Sequence, residues 1–227
     1  MRSALLALVL IFCLLSSAYA APCYGTKMPG RNKFFTGVQY YNIFKRYLEH
    51  SENGKMRSQQ EFVLLSYGVF DWLSIDLKGG AGGIKQKPLG LDQRNYSEFL
   101  GGGYGFRLRL YEKERIKAVF GFQHISIHPH TIYLADGKHK AVLDDWQLSA
   151  LASYNFKKIT PYLGARWSRV DYIHWLDGER SRIKSDPGRS FGFIYGCDIA
   201  LTQKLWINLE GQAFDSQALA VSLNYAF

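Results

Sequence analysis

The chain has 227 residues, of which 28 are Lys or Arg and 19 are Asp or Glu, so its formal net charge is +9. This length suits a single domain. No apolar run reaches the ~18 residues that a membrane-spanning helix needs, which excludes a helical membrane protein. Aromatic residues make up 15% of the chain, and 22 Gly stand against 6 Pro, a balance that favours strands.

The N-terminus has the features of an export signal. Arg2 supplies a positive charge, residues 4–15 form an apolar core, and Ala-Tyr-Ala at 18–20 fits the cleavage rule of small residues around a variable one. We expect a signal peptide over residues 1–20 and a short polar lead in the periplasm over residues 21–32. An exported basic protein meets anionic cell surfaces rather than nucleic acid.

The central part of the chain predicts strands joined by connections of alternating length. Between residues 33 and 227, long polar connections are expected near 50–57, 85–95, 129–140 and 177–188, short ones near 71–72, 112–115, 157–160 and 202–204, and a final hairpin near 215–216. Long outer loops and tight periplasmic turns give membrane β-barrels this rhythm. We therefore predict an all-β fold over residues 33–227, an antiparallel up-and-down transmembrane β-barrel of about ten strands.

The last ten residues alternate strictly between apolar and small or polar side chains, and the chain ends on Phe227. This segment resembles the C-terminal strand of Gram-negative outer-membrane β-barrels. The resemblance implies that the chain lies in the cell outer membrane, and that Leu223, Tyr225 and Phe227 form the signal recognised by the barrel-assembly machinery. A secreted lipocalin-like barrel would show the same alternation with its faces reversed.

The inward faces of the predicted strands carry charged residues of both signs. If the apolar faces point to lipid, these residues share a narrow lumen and neutralise one another, because isolated buried charges are costly. A barrel of this size is filled mainly by its own side chains, so a filled lumen is favoured over a small-solute channel. The predicted charge network comprises Asp76, Lys78, Arg107, Arg109, Arg166, Asp198 and Glu210.

One short motif points to enzymatic chemistry. With Phe122 facing lipid, His124 and Ser126 lie on the same outer face near the rim. A His-x-Ser on that wall resembles the outer-membrane lipid A deacylases, in which the His activates a Ser nucleophile. Asp136 and Asp144 are the candidates for an orienting acid. The alternative interpretation is two polar residues in the lipid headgroup zone.

A second enzyme family has a weaker counterpart. Omptin-type surface proteases are also ten-stranded and use Asp and His at the outer rim, where Asp171, His174 and the pair Asp144-Asp145 are expected. Asp171 and His174 are three residues apart, however, and that family places its pair two apart on one face of a strand.

Cysteine and histidine patterns do not predict a metal site or a cofactor. Cys23 and Cys197 could pair in an exported protein, but their positions favour two unpaired thiols. His128-Pro129-His130 could bind a transition metal, although a proline between two histidines more often marks the start of a loop.

The sequence therefore predicts an integral outer-membrane β-barrel with a structural, surface-interaction or adhesin-like role. Its expected partners are outer-membrane lipid and lipopolysaccharide. A lipid A deacylase-like or omptin-like hydrolase, a channel and a lipocalin-like binder remain the alternatives.

Overall fold

The structure is a computed structural model that describes residues 24–227. The predicted signal peptide and Cys23 lie outside this range. Twelve strands occur within it: β1 Phe34–Tyr47, β2 Lys55–Phe70, β3 Leu73–Lys87, β4 Arg94–Lys113, β5 Ile116–His128, β6 Ile132–Leu134, β7 Gly137–Tyr154, β8 Ile159–Leu176, β9 Glu179–Lys184, β10 Phe191–Ala200, β11 Leu205–Ala213 and β12 Ser216–Ala226.

Ten of these strands form a closed antiparallel barrel, as predicted. Each pairs with its neighbour along the chain, and β1 pairs with β12, with Phe35 opposite Ala226, to close the sheet. The two short strands, β6 and β9, extend β7 and β8 into hairpins within regions that the sequence predicted as loops. These regions are polar, but their backbone groups still pair along the ladder.

The outer wall of the barrel is apolar, whereas the outer surface of a soluble barrel is polar. Large apolar residues cover the outside, where Val63 is 60% exposed and Leu163 is 61% exposed. The interior buries charged residues such as Asp76, Arg107 and Glu210 together with an apolar cluster. A lipocalin-like barrel has its apolar residues inside, whereas a barrel in a bilayer faces hydrocarbon on its outer wall. Within residues 24–227, no helix has the length and apolar character to cross a bilayer.

The two ends of the barrel differ. One end, the turn end, carries the short predicted turns, such as Asp71-Trp72 between β2 and β3. The start of β1 and the end of β12 also lie there. The other end, the loop end, carries the long connections and the hairpins of β6 and β9. Aromatic pairs gather at the turn end, where the rings of Phe34 and Phe227 stack at 4.3 Å.

Residues 24–32 lie against the lumen at the turn end, a placement that the sequence pattern does not indicate. Thr26 donates its hydroxyl to Ser153 Oγ at 2.6 Å, and Met28 is buried. Arg107 Nη1 donates to the carbonyl oxygen of Lys27 at 2.6 Å. This segment therefore fills part of the mouth of the barrel.

Because the outer wall is apolar, residues 21–227 should fold only when an amphiphile covers that wall. We expect refolding from urea into detergent micelles or lipid vesicles to give a strand-rich circular dichroism spectrum and a gel band whose migration changes on heating. Refolding to the same spectrum in plain buffer would contradict the membrane assignment.

Candidate functional site on the lipid-facing wall

The first group of lumen charges is centred on Asp76. Arg107 contacts this carboxylate with two nitrogens, Nε to Oδ2 and Nη2 to Oδ1, each at 2.8 Å. Ser66 Oγ donates a third hydrogen bond to Asp76 Oδ1 at 2.5 Å. A bidentate pair with an added donor is the arrangement that compensates a buried carboxylate.

A second group, nearer the loop end, is centred on Asp215. Its Oδ2 lies 3.0 Å from Arg46 Nη1 and 2.6 Å from Arg166 Nε, and it accepts a hydrogen bond from Ser168 Oγ at 2.6 Å. All four side chains are buried. The predicted network contained Arg166 and lacked its two charged partners here.

The other predicted lumen residues make further contacts. Lys78 Nζ donates to Gln123 Oε1 at 3.2 Å, and Asp198 Oδ1 accepts from Asn208 at 2.8 Å. Glu210 accepts from Tyr162 at 2.9 Å, and Arg109 pairs with Glu112 at 2.6 Å near the turn end. These charged side chains thus have polar partners at several levels of the barrel.

The outer wall carries a cluster of polar side chains near the loop end. Ser126 Oγ donates to Asp144 Oδ1 at 2.6 Å and lies 2.9 Å from His128 Nε2. His124 Nε2 lies 3.8 Å from the same carboxylate oxygen and has no hydrogen-bond partner among residues 24–227. One hydroxyl therefore has a carboxylate and an imidazole within hydrogen-bond distance.

Strand geometry explains how these residues meet. The outward positions of β5 continue from Phe122 through His124 and Ser126 to His128, because side chains alternate faces along a strand. The register of β5 and β7 sets Ser126 directly opposite Asp144. Of the two acids that the sequence proposed, the structure thus brings this one to the serine. The contribution of His128 was missed, although a period of two from Ser126 would have found it.

The other acid candidate, Asp136, belongs to a different group. It lies in the outer hairpin and accepts a hydrogen bond from His139 Nε2 at 2.8 Å, which lowers the pKa of the Asp136 carboxyl. The other ring nitrogen of His139 lies 2.9 Å from His174 Nε2. This chain of contacts faces the mouth of the lumen and does not reach Ser126.

The omptin-like and metal alternatives gain no assembled site. Asp171 contacts Arg169 and Arg182, whereas His174 points to the opposite face of β8 and meets His139. His130 stacks on Phe99 at 4.4 Å, so it does not face the same point as His128. In the described part of the chain, no group of three or more His, Cys, Asp or Glu residues could hold a metal ion.

No protein-family model and no curated protein matches the chain. The transport unit of the autotransporter AIDA-I from Escherichia coli is similar over 87% of this chain and 91% of its own, with a TM-score of 0.48 and 14% identity. The translocator domain of the autotransporter NalP from Neisseria meningitidis has a TM-score of 0.48 and 11% identity over 89% of this chain and 90% of its own. Ail of Yersinia pestis has a TM-score of 0.42 and 8% identity over 88% and 100%. At these values the likenesses carry no argument about activity.

The closed sheet, the apolar outer wall and the charged lumen together decide the class. The chain is an outer-membrane β-barrel. Barrels of this kind have long outer loops and short periplasmic turns, so we expect the loop end to face the outside of the cell and the turn end to face the periplasm. On the outer wall, His124 packs on the Trp146 ring with centroids 3.9 Å apart and on Tyr104 at 5.2 Å. Aromatic residues mark the membrane interface, so Ser126, one outward position closer to the loop end, lies at the headgroup level of the outer leaflet.

Basic side chains lie beyond Asp144 along the same level of the sheet. Asp144 is paired with Asp171 and Asp171 with Lys184. Arg169 and Arg182 contact the Asp171 carboxylate at 3.1 and 2.5 Å and remain partly exposed. Because neighbouring strands are about 4.8 Å apart, the Asp171 carboxylate that these cations contact lies two strands, or roughly 10 Å, from the serine.

The cluster around Asp215 predicts a large stability effect. Asp215→Asn removes the carboxylate that Arg46 and Arg166 share in the buried cluster, which should lower the free energy of unfolding by about 3–5 kcal/mol. Urea titration of the barrel in lipid vesicles measures this change. Asp186→Asn is the matched control, because the Asp186–Arg189 pair is exposed and should contribute less than about 1 kcal/mol. Equal effects of the two substitutions would show that the Asp215 cluster does not stabilise the barrel.

Proposed function

We propose that this barrel hydrolyses acyl esters of lipids in the outer leaflet, with Ser126 as nucleophile. The observation that carries the proposal is the contact of Ser126 Oγ with both His128 Nε2 and Asp144 Oδ1 on the lipid-facing wall. A serine next to a basic imidazole and a carboxylate is the arrangement that activates a hydroxyl for acyl transfer.

The reaction follows from these contacts. In the structure the Ser126 hydroxyl donates its proton to Asp144, and rotation about the Cβ–Oγ bond redirects it to His128 Nε2, 2.9 Å away. Ser126 Oγ then attacks the ester carbonyl carbon as this proton passes to His128 Nε2, and the tetrahedral intermediate collapses as the leaving alcohol takes the proton and departs. Water then attacks the acyl-serine carbonyl and gives its proton to His128, which returns it to Ser126 Oγ as the fatty acid leaves. The Asp144 carboxylate, 2.6 Å from Ser126 Oγ, adds negative charge beside the reacting groups, which favours the imidazolium formed in each half of the reaction.

The position of the cluster favours a lipid substrate over a soluble one. Ser126 lies one outward position from His124, whose ring packs on Tyr104 and Trp146, and exposed apolar residues cover the wall toward the turn end. Arg169 and Arg182 offer exposed guanidinium groups to an anionic headgroup such as a phosphate.

A surface-interaction or adhesin-like role is the second candidate, because the outer hairpins expose aromatic rings. Tyr133 in β6 is 75% exposed and Phe214 in the last hairpin is 74% exposed. Such rings contribute most of the energy at protein interfaces. Loss of bacterial adhesion to host cells in Tyr133→Ser and Phe214→Ser, with lipid hydrolysis unchanged, would favour this role; adhesion equal to that of the unaltered protein would argue against it.

Hydrolysis is tested with the refolded barrel in vesicles that contain phospholipid and lipopolysaccharide, by mass spectrometry of released fatty acid. We expect Ser126→Ala to reduce release to background and His128→Ala to reduce it by about 10²–10⁴-fold, the usual contribution of a general base. Ser51→Ala, an exposed serine in an outer connection, should behave as the unaltered protein. Fatty-acid release by Ser126→Ala equal to that of the Ser51→Ala control would refute the nucleophile.

A further inference from the structure

Ser126 belongs to a row of outward-facing residues that crosses the outer wall from strand to strand. On the side away from Asp144 it is paired with Gly102 of β4, which is paired with Gly79 of β3 and then with Val63 of β2. Two neighbouring positions next to the candidate nucleophile therefore have no side chain. They form the floor of a shallow depression in the apolar wall, which we call the glycine groove.

Larger side chains border the glycine groove along both edges. On the turn-end side the adjacent row contains Leu77, Tyr104 and His124, and on the loop-end side it contains Ala81, Leu100 and His128. Leu77, Leu100 and Tyr104 are exposed on the wall. The groove is thus open to Ser126 at one end and closed by the exposed Val63 side chain at the other.

Backbone packing does not explain the glycine at position 79. A Cβ added at Gly80 would collide with the carbonyl oxygen of Glu61, and one at Gly103 would collide with that of His124. A Cβ at Gly79 would meet no atom within 4 Å, and one at Gly102 would meet only the Lys78 carbonyl oxygen, at 3.2 Å. Glycine weakens a strand, and the φ angle of Gly79 is not positive, so neither strand stability nor backbone conformation favours glycine here. The glycine instead leaves open space on the outer wall.

The direction of the row relates the groove to the membrane. Barrel strands are tilted, so a row that runs perpendicular to them is inclined to the bilayer. Lys184 ends the row at the loop end, and Ser126 is two residues from the loop end of β5. Val38, the partner of Val63 and the next residue in the row, lies near the turn end of β1. From Ser126 toward Val63 the row therefore descends into the hydrocarbon layer, while its basic end stays at the extracellular surface.

We propose that the glycine groove binds the acyl chain of the ester that Ser126 cleaves, with the headgroup toward Arg169 and Arg182. This inference rests on the proposed function. The carbonyl carbon lies at Ser126, and the methylenes run over Gly102 and Gly79 to Val63. Three strand spacings give the groove a length of roughly 14 Å, so it accommodates a medium or long chain and ends at a defined point. The groove makes Gly79 and Gly102 specificity-determining positions.

The test fills the groove and compares ester lipids that differ in chain length alone. Gly79→Leu places an apolar side chain on the floor, and we expect it to lower kcat/KM for a tetradecanoyl ester at least about tenfold while the butanoyl ester, which does not reach position 79, is unaffected. Ala150→Leu, an outward position on β7 away from the groove, is the matched control and should change neither substrate. Equal kcat/KM ratios for the two esters in Gly79→Leu and the unaltered protein would overturn the groove and leave Ser126-dependent hydrolysis intact.

A binding measurement tests the groove separately from the reaction. In the Ser126→Ala variant, a phospholipid with a photoactivatable group at the end of its acyl chain should crosslink to the peptides that contain Val63 and Gly79, and Gly79→Leu in this background should suppress the products. Crosslinks spread evenly around the barrel would overturn the groove. If the unaltered protein releases no fatty acid while these crosslinks form, the hydrolase proposal fails and a lipid-binding groove remains.

Discussion

The constraint on which the whole structure depends is the pairing of β1 with β12. In hydrocarbon no water can satisfy a free strand edge, so every backbone N–H and C=O group in the bilayer must find its partner within the sheet. Closure through pairs such as Phe35 and Ala226 meets this requirement and at the same time fixes two unlike surfaces, a wall in lipid and a narrow lumen. The role of a polar or apolar side chain then depends on whether it lies on the lipid-facing wall or in the lumen.

Inside the barrel, the charged side chains have a mainly structural role. Arg46, Arg166 and Asp215 are buried together, and each charge depends on the others because none can reach bulk water. The Asp76–Arg107 pair repeats the arrangement nearer the turn end. On the wall the same residue types have a different significance, because a polar side chain facing lipid is costly unless it lies at the headgroup level or takes part in function. The cluster of Ser126, His128 and Asp144 stands out for this reason.

Much of this could be predicted from the sequence, since alternation with a period of two identifies faces without knowledge of pairing. It placed Asp76, Arg107 and Arg166 inside, and His124 and Ser126 outside. The alternation could not place Arg46. Strict alternation along β1 would direct this side chain to lipid, but the register shifts between Ile43 and Lys45, and this bulge turns Arg46 inward. Asp215 was assigned to a polar hairpin for a related reason: its burial depends on contacts with strands far away in sequence.

The same limit applies to the candidate site. The serine and its histidines are two residues apart on one strand, so a local pattern suffices to find them, but the choice of Asp144 over Asp136 depends on the register between β5 and β7. Gly79 and Gly102 are even less visible, because glycines in β3 and β4 serve two purposes that the sequence does not separate. Some allow close backbone approach, as Gly80 does, whereas Gly79 faces open space. Only the closed sheet shows that this space adjoins Ser126 and descends from it into the membrane, where an acyl chain must lie.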